Sequence, residues 1–161
     1  MPASVAEKAI IFYLRIVMAW TFLYPGVRQV LSPDFSVAGF LGHTKTFHGL
    51  FSLFTTPGTV QITSVLVAYG HLLIGLSLLA GLMVRLGASL GALLMVLYWM
   101  AHMDWPYIEN KTNLVVDQHL VYAGLLLYLA VGRAGHIWGV DAWVEQGRFA
   151  KDYPRLKLLF S

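Results

Sequence analysis

The sequence predicts an all-α integral membrane fold: a four-helix bundle forming a single transmembrane domain over residues 1–161, with short interfacial helices in the first outer loop and near the C-terminus. Three observations predict it. Hydrophobic residues make up 58% of the 161 and charged residues only 12%, about half the roughly 25% charged residues of a soluble domain. So few polar groups cannot cover a water-facing surface, and the mean hydropathy of +0.67 agrees. Four apolar runs are long enough to cross a hydrocarbon core about 30 Å thick, which needs roughly 20 residues. None alternates like a barrel strand. Backbone groups in lipid must be paired within their own segment, which leaves helices.

The first run, residues 9–31, carries Arg15 and ends in Trp20, Tyr24, Pro25 and Arg28. No small-residue cleavage site follows it, so it reads as a retained helix rather than a signal peptide. Residues 32–59 are long for a structureless loop, and Phe35, Phe40, Leu41, Phe47, Leu50, Phe51 and Phe54 make them apolar. One or two amphipathic helices over residues 35–54, lying on the outer leaflet, are expected, with Pro57-Gly58 ending the segment. The second and third runs, residues 60–84 and 86–103, are separated only by Arg85, which predicts a tight antiparallel hairpin. Gly81 and Gly87 flank it, and Gly87 with Gly91 forms a small-residue pair suited to close helix packing. The fourth run covers residues 114–132. Beyond it, Trp138 and Trp143 alternate with Asp141, Glu145, Arg148 and Lys151, as in an interfacial helix over residues 138–150; residues 156–160 are again apolar. Trp99, Trp105 and Tyr107 form one aromatic belt, and Trp138 and Trp143 the other.

Lys8, Arg85, Arg133, Arg148, Lys151, Arg155 and Lys157 fall on one side of these runs; Arg28, Lys45 and Lys111 fall on the other. The bias predicts both termini in the cytoplasm, in the cell membrane. The net charge of +3 is therefore read as orientation. No basic stripe with interleaved aromatics points to nucleic acid. The absence of cysteine excludes disulfides, thiolate zinc sites, iron–sulfur clusters and covalent c-type haem on this chain.

Polar groups within apolar spans are the candidates for function. Arg15 either snorkels or pairs with a tail carboxylate, or it anchors a quinone carbonyl or other anionic group. His71, near the middle of the second run, is a hydrogen-bonded neutral histidine or a quinone donor; haem ligation lacks a partner histidine at that depth. The densest cluster is His102, Asp104, Asn113, Asp117 and His119, with Trp105 and Tyr107, at the outer ends of the third and fourth runs. Arg28 is expected at the same depth, and Tyr122 shares a helical face with His119. Three chemistries compete there: proton exchange with a quinone by imidazole and carboxylate, a metal held by His102, His119 and a carboxylate, or capping and ion pairing at a wet membrane edge. The metal reading suffers because residues two apart on a helix point to different faces, which separates Asp117 from His119.

Asp117-Gln-His119-Leu-Val-Tyr122-Ala-Gly, followed by Gly132-Arg-Ala-Gly135-His-Ile-Trp-Gly139-Val-Asp141, resembles the DoxX/DoxD family of four-helix membrane proteins. Ser36-Val-Ala-Gly39-Phe40-Leu41 is similar to that family's outer-loop segment, and Gly75-Leu-Ser-Leu-Leu-Ala-Gly81-Leu-Met-Val-Arg85-Leu-Gly87 to its second-to-third helix hairpin. The resemblance implies a membrane subunit of a respiratory or redox complex. DoxD-like proteins serve as such a subunit of thiosulfate:quinone oxidoreductase, paired with a DoxA-like subunit that this chain does not carry. It thus implies quinone as acceptor and a partner subunit. On the residues themselves, Asp117, His119, His102 and Asp104 are the candidate proton-handling residues, and Arg28, Arg15, His71 and Tyr122 the candidate binding residues. The alternative is a non-catalytic accessory subunit packed in a larger membrane assembly.

Overall fold

A computed structural model describes residues 4–108 and 113–147. Helix α1 spans Val5–Leu31. It begins earlier than hydropathy predicts, because Ser4 and Glu7 close a reciprocal capping box that satisfies two otherwise unpaired backbone donors. The outer segment forms the expected short helices, α2 (Ala38–Gly42) and α3 (His48–Phe51), with a 3₁₀ turn at Ser52–Phe54. Val37, Leu41 and Phe51 bury themselves with Ala101 in a small satellite core.

Helix α4 is Val60–Ala80 and α5 is Val84–His102. Their connection is residues 81–83, not Arg85, which lies in the first turn of α5. Gly81 adopts a left-handed conformation (φ 67°), and the Leu82 N–H returns to the Ser77 carbonyl at 3.0 Å, closing α4 with a Schellman-type cap. Leu82 and Met83 are apolar, so hydropathy alone runs through the turn.

The predicted fourth helix shortens to α6, Gln118–Val131. Its expected first turn is instead part of a three-stranded antiparallel sheet: β1 (Met103–Asp104), β2 (Tyr107–Ile108) and β3 (Asn113–Leu114), paired in that order. The fold is therefore not purely α. A turn at Trp105-Pro106 joins the first two strands, and Val115 has φ 61°, so residues 113–117 cannot continue a helix despite their apolar composition. A 3₁₀ turn, Ala134–His136, leads to α7, Val140–Gln146. The rest of the expected C-terminal segment, residues 148–161, and Lys111 lie outside the described residues.

Three helices, α1, α4 and α5, are long and apolar enough to cross a membrane; α6 is apolar but shorter. Chain α1 packs along α4, and α5 along α6. The α1–α4 crossing is the tightest: a Cβ on Gly75 would fall 2.6 Å from the Leu23 backbone nitrogen, and one on Gly26 would collide with the Leu72 backbone. Only glycine lets these two backbones meet. Met18, Phe22, Leu78, Val84, Ala88, Leu126 and Leu129 fill the shared core. The outward faces are apolar too, with Leu66 67%, Leu73 62% and Val131 83% exposed. Such faces are hydrophobic on both sides because lipid, not water, is their solvent.

Candidate functional site

At the end of the molecule that carries the sheet, Asp117 is not a helical residue but the N-cap of α6, in extended conformation. One oxygen accepts the backbone N–H groups of His119 (3.0 Å) and Leu120 (3.4 Å). The other accepts the His119 Nδ1–H at 2.5 Å. The helical-face argument that separates the two residues therefore does not apply: an N-cap side chain folds back over the first turn. The contact is well sheltered, with side-chain exposures of 7% for Asp117 and 12% for His119.

The His119 ring stacks on His102, centroids 4.9 Å apart and planes 20° apart. His102 Nδ1–H donates to the Tyr98 carbonyl at 2.8 Å. The Tyr98 ring stands edge-on to His119 at 6.0 Å, and its hydroxyl faces His71 Nε2 at 3.4 Å. His71 in turn donates from Nδ1 to the Val67 carbonyl at 2.9 Å. In all three imidazoles Nδ1 faces an oxygen that accepts, which makes Nδ1 the donor and Nε2 the acceptor nitrogen of each neutral ring. His71 lies about 16 Å along α4 from Val60 at 1.5 Å per residue, close to half a bilayer core. The structure thus joins His71 to His102 and His119 through Tyr98, a residue sequence reasoning missed. The signal was available: Tyr98 and His102 are four apart, hence on one face of α5.

This array adjoins a pocket of about 220 Å³ lined by Phe40, His43, Lys45, Ala101, His102, Met103 and Asp104. The segment after α2 forms its rim and is stitched to the sheet: the Thr46 N–H donates to the Met103 carbonyl (3.1 Å), and the Trp105 N–H donates to Thr46 Oγ1 (2.8 Å). Asp104 pairs with Lys45 at 2.6 Å, and His43 Nδ1 donates to the Gly39 carbonyl at 2.5 Å. His43 and Lys45 are the other residues missed; Lys45 served the sequence reading only as a topology charge. Among the described residues no three histidine or acidic side chains are placed to hold a metal, since Asp117 is turned onto His119 Nδ1 and Asp104 onto Lys45.

Other predicted site residues lie elsewhere. Arg28 is exposed near the end of α1 and makes no hydrogen bond or ion pair among the described residues, so it does not converge on the cluster. Tyr122 packs against the main apolar core.

Arg15 is at the opposite end of the molecule and 1% exposed. Its head turns inward rather than snorkelling. Nη1 donates to the carbonyls of Ala134 (2.5 Å) and Ile137 (2.8 Å), and Nη2 to Trp138 (3.2 Å); Nε has no partner among the described residues. Beside it Asp141, also 1% exposed, accepts the backbone N–H groups of Met83 (2.7 Å) and Val84 (3.1 Å). Helix α5 has no capping side chain of its own; Asp141, from far along the chain, supplies the cap. Burial pushes the Asp141 carboxyl up, against the pull of those two N–H groups, His136 and Arg15. Gly135 is required here, because a Cβ would collide with the Asp141 carboxylate. Glu145 binds His136 (2.6 Å) and Arg133 (2.9 Å); the His136 hydrogen bond leads in holding its carboxyl below the ordinary range.

Apolar helices of spanning length around a part-buried histidine–tyrosine array define an integral membrane protein. The DoxX family model matches residues 10–103, over half of the chain, and the chain belongs to the DoxX family. That match takes in α1 to α5, with His71, Tyr98 and His102; Asp117, His119 and Asp141 lie beyond it. Membership points to a membrane subunit of a redox-related system. No curated protein and no solved structure matches the chain.

Proposed function

We propose that the chain is a quinone-linked membrane subunit of a redox complex, and that the sheet-end array handles the protons of that reaction. The observation that carries this reading is the continuity of Asp117, His119, His102, Tyr98 and His71 beside a polar pocket that faces the end of the spans. Reduction of a quinone consumes electrons and protons together, so its head group needs nearby proton donors in a water-poor setting. The residues fit such a ligand. A 220 Å³ pocket is below the ~300–1,000 Å³ of sites for drug-sized ligands, and so takes a single ring or a small anion. His43 and His102 offer hydrogen-bonding nitrogens, and Lys45 a cation. Asp117 holds the His119 tautomer and stabilises the ring when it is protonated, the role a buried carboxylate plays toward imidazole.

With no cysteine, the chain carries no thiolate-held redox centre. Electrons therefore come from a small donor bound directly or from a partner subunit. Thiosulfate, with a DoxA-like partner, is the donor the family resemblance offers. We assign its attraction to Lys45, which lines the pocket in its pair with Asp104, rather than to Arg28. We place the protein in the cytoplasmic membrane as a four-helix bundle, both termini inside and the array at the outer face.

The test is purification in mild detergent with extraction and quantification of bound quinone. Quinone should accompany the isolated chain, and Asp117→Asn in the native assembly should lower quinone turnover by at least ~100-fold, the lower bound for positioned proton transfer. Unchanged turnover in a correctly inserted variant would refute the proton-handling role.

A second reading, a non-catalytic accessory subunit, is favoured by one feature. Between α4 and α5 lies an apolar cavity of about 500 Å³ lined by Leu73, Leu76, Leu86, Gly87 and Leu90, among others, of the kind a neighbouring helix fills. Recovery only within a larger assembly, with activity surviving both Asp117→Asn and His119→Ala, would favour that reading.

A further inference from the structure

Next to the polar pocket is a second cavity, of about 180 Å³, walled by apolar atoms throughout. Leu41 and Phe51 line it from the outer segment, Val67 from α4, and Leu97, Tyr98 and Ala101 from α5. Two observations tie it to the polar pocket. Ala101 lines both cavities. Phe40, which lines the polar one, packs edge-on against Tyr98, which lines the apolar one, at 5.6 Å. Ala101 and the Phe40–Tyr98 ring pair thus belong to the walls of both. The apolar cavity also reaches the outer surface: Leu97 is 36% and Phe54 42% exposed, on a face of the spans that meets hydrocarbon.

We propose that this cavity is the tail subsite of an amphipathic quinone whose head occupies the polar pocket, so that the ligand enters sideways from the bilayer between α5 and the α2–α3 segment. The inference rests on the quinone reading given above. A wall without polar atoms cannot orient a head group, but it removes the first carbons of a chain from a crowded lipid phase and fixes which way the ring faces. Tyr98 then stands where ring and tail meet, its ring against the chain and its hydroxyl toward His71. The volume accepts only the start of a chain, and the remainder lies along the exposed surface of α5.

The experiment uses the full chain in lipid nanodiscs and two probes: a benzoquinone head without a chain, and the same head carrying a decyl chain with a photoreactive diazirine. Crosslinks should map by mass spectrometry to Leu97, Phe51 and Val67, and excess unlabelled decyl quinone should suppress them. Leu97→Trp, which narrows the mouth, should weaken binding of the tailed compound about tenfold, because the indole overlaps the space its first methylenes would take. It should leave binding of the tailless head unchanged. Leu97→Ala only widens the mouth and should keep the crosslinks, so failure of the Trp variant to fold would not decide the result. Crosslinks scattered over the spans, or displaced by phospholipid alone, overturn the tail subsite while leaving the polar pocket standing. Failure of the tailless head to bind overturns the quinone reading, and this inference with it.

Discussion

At the scale of single residues, the chemistry of the array was legible in kind but not in geometry. His102, Asp117 and His119 drew attention as polar groups at the ends of apolar runs. Helical spacing misplaces Asp117 relative to His119, because a rotation of about 100° per residue holds only inside a helix, and Asp117 sits one step before it with φ −136°. Tyr98 escaped because a tyrosine in an apolar run passes for core or belt; only its spacing to His102 marks it. The N-cap role makes a clean separation of stability from chemistry possible. Asparagine caps helices about as well as aspartate, whereas alanine costs ~1 kcal/mol. Asp117→Asn should therefore melt within a few tenths of a kcal/mol of the parent in detergent, while Asp117→Ala should lose about 1 kcal/mol by the same measurement. If both variants lose turnover but only the second loses stability, the carboxylate acts on His119 and not merely on the helix. Equal destabilisation by the two would show that the charge itself holds the cap.

At the scale of elements, the four apolar runs became four helices, yet both interior boundaries moved for reasons that composition does not carry. The hairpin turn at 81–83 is apolar, and its one sequence mark is Gly81, a residue suited to the left-handed position that ends a helix. The motif from Gly132 to Asp141 was noticed as a pattern, and the structure supplies its physics. Arg15 gathers the carbonyls of the turn after α6, and Asp141 caps α5. Neither pairing could be read from sequence, since Arg15 and Ala134 are 119 positions apart. The cost of breaking this junction should be large. Asp141→Ala leaves the Met83 and Val84 N–H groups without their acceptor and removes the negative charge near Arg15. Leaving buried donors unsatisfied costs about 1–3 kcal/mol each, which reversible unfolding in mixed micelles would register. Asp141→Asn retains one acceptor for the helix end and should recover part of that loss. A variant as stable as the parent would mean that the junction contributes nothing to holding α5.

At the scale of the whole molecule, the question is how many times the chain crosses the bilayer. Composition answered four, but α6 is only 14 residues long, about 21 Å at 1.5 Å per residue, against a core about 30 Å thick. The packing puts the two ends of α6 at opposite ends of the molecule, as a fourth crossing would require. Arg15, in the first half of α1, bonds to residues that follow α6, so the start of the chain and α7 lie at one end. The sheet that precedes α6 lies at the other, joined to α5 and the outer segment. In a crossing by α6 the sheet on one side and the 3₁₀ turn with the exposed Trp138 and Trp143 on the other would make up the missing length, as local thinning and aromatic anchoring permit. Because the chain has no cysteine, this is directly measurable. Single cysteines at Ser4, Trp143 and Trp105, probed with a membrane-impermeant maleimide in sealed vesicles, should divide into two classes. Ser4→Cys and Trp143→Cys should react from the same side, the cytoplasmic one if the excess of Lys and Arg sets orientation, and Trp105→Cys from the opposite side. Reaction of Trp143→Cys together with Trp105→Cys would mean that α6 does not span. The Arg15 and Asp141 junction could then not exist in the membrane.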